Sequence, residues 1–77
     1  MKDIKQQADE LINHFSQHIE LFDEEYILCA IASTENTINL LREIRDEMYN
    51  DTGYTPIYLN KSINQQTELL NELKSRL

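Results

Sequence analysis

The sequence predicts an all-α protein, either an antiparallel three-helix bundle or a long helical hairpin with a packed N-terminal helix. Apolar residues recur every three or four positions over most of the 77 residues, which is the spacing of one helix face. Nowhere do apolar and polar residues alternate for more than a few positions, as they do in strands. The breaks between the periodic segments are short, which favours antiparallel neighbours and leaves both arrangements open.

Helix 1 is predicted from about Lys2 to Gln17. The stretch 16–22 either extends this helix or forms a loop. The apolar side of helix 1 has steps of three, four and seven residues, so its members share one face. They are Ile4, Ala8, Leu11, Phe15 and Phe22, with Ile12 and Ile19 beside them.

Helix 2 is predicted to be the longest, from about Glu24 to Tyr49, with Asp23 as its N-cap. The small residues Ala30, Ala32 and Ser33 allow a neighbouring backbone to approach closely. The core-facing seam consists of Ile27, Ile31, Thr34, Ile38, Leu41, Arg45 and Met48, widened by Leu28, Ala30 and Ile44. The segment 50–53 ends the helix, and its glycine is available as a left-handed stop.

Helix 3 is predicted to begin with Thr55 as N-cap and Pro56 at the first helical position. Its apolar residues then alternate in steps of four and three, which is the spacing of a coiled-coil seam. This seam consists of Leu59, Ile63, Gln66, Leu70, Leu73 and Leu77.

Length and composition indicate one domain, residues 1–77, that is marginally stable by itself. A single Cys fits a reducing compartment, and the N-terminus lacks the apolar core of a signal peptide. The longest apolar run, residues 26–32, is too short to span a membrane. We therefore expect a soluble, cytoplasmic protein, located in the host cytoplasm if a phage encodes it.

Acidic residues dominate the first half of the chain. Fourteen acidic and seven basic residues give a net charge of −7, and no basic residue lies between Lys5 and Arg42. This charge argues against direct binding to nucleic acid or to an anionic membrane and favours a basic protein surface as partner. The densest acidic cluster consists of Glu20, Asp23, Glu24 and Glu25. The alternative interpretation is a solvated face that only keeps the domain soluble.

Three tyrosines surround the break before helix 3, namely Tyr49, Tyr54 and Tyr58. Tyrosine is common in binding hot spots because its large ring has few rotors to immobilise. Tyr54 and Tyr58 are therefore candidate anchors for a partner. The alternative is that these rings cap the end of the bundle.

Residues that carry chemistry are sparse. His14 and His18 share a helix face with Glu10, but a zinc site needs three or four ligands, so we expect no metal ion. Cys29 has apolar neighbours and is predicted to be a buried small hydrophobe. With neither a nucleophile motif nor a phosphate-binding loop, we expect no catalysis and no cofactor.

The first two helices resemble a group of small helical proteins encoded by phages and prophages. Residues Ala8, Leu11, Ile12 and Phe15 match the pattern A-x-x-L-I-x-x-F of their first helix, and 29–31 (Cys-Ala-Ile) matches the start of their second. This resemblance implies an origin in a mobile element. Small acidic phage proteins often act by binding and disabling host machinery.

Two functions follow from these patterns. The first is a non-enzymatic inhibitor of a host enzyme that handles nucleic acid, such as a CRISPR nuclease. The acidic cluster would steer association, and the tyrosines would anchor the complex. The second is a structural or assembly module that forms a homodimer or docks on another helical protein through the seam of helix 3.

Overall fold

The computed structural model describes residues 2–18 and 23–77, with only the main chain described for His18 and Asp23. This part of the chain forms three helices, α1 (Ile4–His18), α2 (Asp23–Thr52) and α3 (Ile57–Lys74), and contains no strand. All three helices pack against one another. The all-α prediction is confirmed.

The contacts between helices give their directions. In α1 and α3, Asp9 pairs with Arg76, and Ile4 lines a cleft with Glu68, so these two helices run in the same direction. Glu35 of α2 pairs with Lys74 of α3 at 3.8 Å. Only four residues, 53–56, connect α2 to α3, and the two helices pack along one another, so α2 runs antiparallel to α3. Helix α1 is likewise antiparallel to α2, since Phe15 borders Cys29 and Leu11 borders Thr37.

The two predicted architectures are combined in one molecule. Helix α2 has 30 residues and α1 has 15, so at about 1.5 Å per residue α1 is only half as long as α2. Where α1 packs, the protein is a three-helix bundle. Beyond the N-terminal end of α1, α2 and α3 continue as a two-helix hairpin, and the molecule is 45 Å long.

The hydrophobic core also differs between the three-helix part and the two-helix part of the molecule. In the three-helix half, five buried residues from all three helices form one cluster: Ala8, Ala30, Ile31, Leu69 and Leu73. In the hairpin half, the buried apolar residues of α2 and α3 are Ile38, Leu59 and Ile63. The predicted seam of α3 is correct at Leu59, Ile63 and Leu73 but places Leu70 where Leu69 is the more buried residue. The reason is that α3 contacts two helices, so its buried face is wider than a coiled-coil seam.

Two residues assigned to the core of α2 are exposed, namely Leu28 and Ile44. Ile44 lies on the side of α2 that faces α1 nearer the N-terminus of α2, but the N-terminal end of α1, at Ile4, does not extend far enough to cover Ile44. Cys29 was predicted to be buried and is half-buried beside Phe15. Leu77 lies beyond the end of α3 and is exposed.

The start of α1 has a reciprocal cap. The Gln6 amide N–H donates to the Asp3 carboxylate at 2.8 Å, and the Asp3 amide N–H donates to the Gln6 side-chain oxygen at 3.3 Å. This capping box satisfies donors that a helix N-terminus leaves unpaired, so α1 begins at Ile4 and not at Lys2. The Asp-x-x-Gln spacing is visible in the sequence and would have located this boundary.

The other helix ends also differ from prediction. Helix α2 begins at Asp23 and continues to Thr52, three residues past Tyr49. Thr52 donates its hydroxyl hydrogen to the Met48 carbonyl at 2.6 Å, which supports the last turn. At α3, Pro56 and not Thr55 is the N-cap, because Pro56 is extended with ψ 135°. The Pro56 carbonyl accepts the amide hydrogen of Leu59 at 3.1 Å.

Gly53 ends α2 as predicted, with φ 68° in the left-handed region. Its amide N–H donates to the Tyr49 carbonyl at 2.7 Å. Space around the missing side chain is open, with no heavy atom within 4 Å of an added Cβ.

We expect Gly53→Ala to lower the free energy of unfolding by about 1–2 kcal/mol, solely because L-residues disfavour this conformation. Urea unfolding measures the loss, and Gly53→Asn should recover part of it because Asn tolerates positive φ better than Ala does.

Candidate functional site

The acidic cluster predicted to steer a partner lies at the start of α2. Glu24 and Glu25 occupy the first turn and are exposed. The positive end of the helix dipole stabilises carboxylates at this position, which offsets part of their mutual repulsion. Glu20 and the side chain of Asp23 lie outside the described residues. The described part of the cluster is thus two exposed carboxylates at one end of the molecule.

Charge is divided unevenly along the chain. Residues 1–37 and 65–77, which we call the acidic end, contain ten acidic and four basic residues, a net charge of −6. Residues 38–64, which we call the hairpin end, contain four acidic and three basic residues, a net charge of −1. Almost the whole excess therefore belongs to the half that includes α1.

Three of the four basic side chains at the acidic end are engaged within the protein. Lys2 pairs with Glu10 at 2.7 Å and Lys74 pairs with Glu35 at 3.8 Å, both on the surface. Arg76 is the third and pairs with acidic side chains of α1 and α3. Exposed pairs of this kind contribute little to stability. Pairing does not change the net charge, which stays at −6 for this end.

Arg76 joins the C-terminal end of the bundle to α1. Its guanidinium donates to the Asp9 carboxylate, to the Lys5 carbonyl at 3.1 Å and to the Glu72 carboxylate at 3.4 Å. The hydrogen bond to Asp9 is the main reason that the pKa of Arg76 is raised above its ordinary value; partial burial acts in the opposite direction. The guanidinium is therefore always charged, and its hydrogen bonds connect α1 to the C-terminal end of the chain beside the core.

The tyrosines lie at the opposite end of the molecule. Tyr49, Tyr54 and Tyr58 are 59%, 62% and 67% exposed, so they do not cap the core. Glu24 and Tyr49 are near opposite ends of α2, about 37 Å apart along the helix at 1.5 Å per residue. The structure therefore does not bring the predicted steering and anchoring residues together. One compact interface, about 800 Å² on each partner, does not cover both.

Sequence reasoning missed a concentration of exposed apolar residues at the hairpin end. Eight large apolar side chains are exposed among the described residues, and six of them belong to residues 38–64. These six are Leu40, Ile44, Tyr49, Tyr54, Ile57 and Tyr58. Leu40 and Ile44 are four residues apart and share one face of α2. This spacing was visible in the sequence, but Ile44 was assigned to the core because the end of α1 was not known.

The clefts described between the helices contain few side chains suited to catalysis or metal binding. One cleft that all three helices line has a volume of about 390 Å³ and is bordered by His14 and Thr37. Thr34 and Thr37 donate their hydroxyl hydrogens to carbonyls of their own helix, at 2.8 and 3.0 Å. His14 is exposed and meets the Phe15 ring edge-on, with centroids 5.7 Å apart. The side chain of His18 is outside the described residues, and no three potential metal ligands cluster in the described part.

The predicted homodimer seam is occupied within the chain. Leu59, Ile63 and Leu73 are buried against the other helices. Leu70 is half-buried against the main core cluster. These side chains are not available to a second molecule unless the bundle opens. Leu77, the last residue of the predicted seam, is 63% exposed, so association of the intact fold must rely on Leu77 or on residues outside the seam.

Within the described ranges, none of the helices is both long and apolar enough to cross a bilayer. The chain matches no family model, no curated protein and no solved structure.

Proposed function

We propose that this chain is a non-enzymatic protein-binding domain that inhibits an enzyme handling nucleic acid, as an anti-defence protein of a mobile element would. The observation that carries the proposal is the charge of the acidic end, −6 in residues 1–37 and 65–77. Grooves that hold DNA or RNA are lined with Lys and Arg, since they neutralise phosphates. A compact surface of negative charge competes for such a groove.

Two features support this mode of action. Glu24 and Glu25 are exposed on the first turn of a long, rigid helix, so their charge has a fixed position. Lys2, Lys74 and Arg76 are engaged by acidic side chains of the same end. Electrostatic attraction of this kind mainly accelerates association and weakens as salt is added.

The test measures displacement of fluorescent DNA from purified nucleic-acid-handling enzymes, with CRISPR nucleases examined first. We expect the chain to displace DNA from at least one enzyme, with an association rate that falls steeply as salt rises. Reversing both charges with Glu24→Lys and Glu25→Lys should slow association about tenfold, because the steering field is lost.

The matched control reverses Asp46 and Glu47 to Lys, which changes the net charge by the same amount on the hairpin end. This control should slow association much less than the first variant does. Equal effects of the two variants would mean that only net charge matters. No displacement from any enzyme of the panel, or displacement indifferent to both salt and charge reversal, would refute the proposal.

A further inference from the structure

The hairpin end contains a groove that continues the surface on which α1 packs. On α2, Ser33, Thr34 and Thr37 line a cleft with α1, and on α3, Gln65 and Leu69 line clefts with it. A step of seven residues returns to nearly the same helix face. Seven residues after Thr37 is Ile44, and seven before Gln65 is Tyr58.

We call this surface the hairpin groove and define it by six residues of the two helices. They are Leu40, Leu41, Ile44 and Met48 of α2, with Tyr58 and Ser62 of α3. Leu40, Ile44 and Tyr58 are 58%, 39% and 67% exposed. Two seven-residue steps before Ile44 is Ala30, which is buried in the cluster that includes Ala8 of α1. Helix α1 begins at Ile4, beside Gln65, so its cover of this face ends there. Exposed apolar side chains of both helices therefore border the place where a third helix would have to continue.

We propose that the hairpin groove binds the hairpin groove of a second copy of this chain. Two copies related by a twofold axis would place four helix segments around one apolar core, which is a four-helix bundle. The part of α2 from residue 38 to its end has 15 residues, the same number as α1. The hairpin end of one copy is thus long enough to cover the part of α2 and α3 that α1 leaves uncovered on the other copy.

The charge distribution favours a second copy over a basic partner at this surface. The hairpin end has a net charge of −1, with three basic and four acidic residues. Two such ends can approach with little repulsion, and an antiparallel arrangement keeps the two acidic ends apart. The length of the molecule is 45 Å, which far exceeds the Debye length of about 8 Å at physiological salt. A basic partner would be drawn to the acidic end instead.

The size of the groove sets the strength of the association. Three exposed apolar side chains and the rims of two short helix segments bury in total on the order of 1,000 Å², near the lower limit for specific interfaces. We therefore expect a weak dimer that forms at micromolar or higher concentration. This association is independent of the proposed inhibition because it uses the opposite end of the molecule.

Sedimentation equilibrium across micromolar to millimolar concentrations tests the proposal. We expect the mass of the unaltered chain to rise from one to two copies. Leu40→Glu and Ile44→Glu should each weaken association about tenfold or more, since they place a charge in the apolar contact. The matched control is Leu28→Glu, because Leu28 is 52% exposed on the same helix but outside the groove. It should leave the dimer unchanged.

A second measurement does not depend on the stability of the charged variants. In a Cys29→Ser background, Ile44→Cys should form a disulfide-linked dimer on mild oxidation, and Leu28→Cys should not. A chain that stays monomeric at every concentration would overturn the proposal. Equal loss of association in Leu28→Glu, or equal cross-linking through residue 28, would overturn it as well. Added salt should not dissociate this dimer, whereas it should weaken the proposed complex with a basic enzyme, so the two proposals fail separately.

Discussion

Replacing Leu73 with alanine is expected to lower the free energy of unfolding by about 2–5 kcal/mol, the usual cost of deleting a fully buried leucine side chain. Leu73 has no exposed surface and belongs to the cluster that includes Ala8 of α1 with Ala30 and Ile31 of α2. Truncation leaves a cavity at the point where all three helices meet. Alanine is at least as good a helix former as leucine, so the whole loss comes from packing.

The size of this effect matters because the domain is small. A core of this size seldom supplies more than about 3–5 kcal/mol. We therefore expect Leu73→Ala to be substantially unfolded at 37 °C, as measured by circular dichroism with urea titration at lower temperature. The control is Leu77→Ala, because Leu77 is the same residue type four positions later but is 63% exposed. Its effect should stay within about 0.5 kcal/mol. Similar losses for the two variants would contradict the packing described here.

Replacing Ala30 with leucine is the second large expected effect, a loss of about 1–3 kcal/mol through overpacking. Ala30 is completely buried in the same cluster as Ala8 of α1, which is also completely buried. The small side chain of Ala30 lets neighbouring helices pack close to the α2 backbone at this position. A leucine side chain at residue 30 must push α1 away from α2 or adopt a strained rotamer.

Ala32→Leu is the matched control for this prediction. Ala32 lies two residues later on α2 and is exposed. Alanine and leucine have similar helix propensities, so both variants change the helix equally and only Ala30→Leu changes the helix packing. Urea unfolding of both variants checks the prediction. Because the displaced element is α1, hydrogen exchange in residues 4–17 should accelerate in Ala30→Leu and not in Ala32→Leu.

Local sequence signals determined the number and order of the helices. The three-to-four residue periodicity located α1, α2 and α3, and Gly53 marked the end of α2. The boundaries were less well predicted because capping depends on backbone geometry. Thr55 was predicted to be the N-cap of α3, but Pro56 is the N-cap and the helix begins one residue later than predicted. The capping box of Asp3 and Gln6 was overlooked, although its spacing is visible in the sequence.

The candidate sites were predicted as residue types but not as surfaces. The acidic charge and the three neighbouring tyrosines were both recognisable in the sequence, but the sequence left open whether the tyrosines are exposed. The separation of the acidic cluster from the tyrosines was not recognisable, because it depends on α2 continuing from Asp23 to Thr52 without a break. The hairpin groove was likewise not recognisable, since Ile44 lies on nearly the same helix face as the buried residue Ala30, fourteen positions earlier.

Periodicity and charge patterning predict three helices, an acidic first half of the chain and a nearly neutral second half. Periodicity and charge are properties of neighbouring residues, so they need no knowledge of how the helices pack. Tertiary structure alone decided which apolar faces are covered. Helix α1 reaches only half the length of α2. Ala30 and Ile44, which lie two seven-residue steps apart on nearly the same face of α2, therefore differ in burial: Ala30 is buried and Ile44 is exposed. The physical reason is that burial depends on whether a neighbouring helix extends far enough to cover a residue, and the spacing of apolar residues does not encode that length.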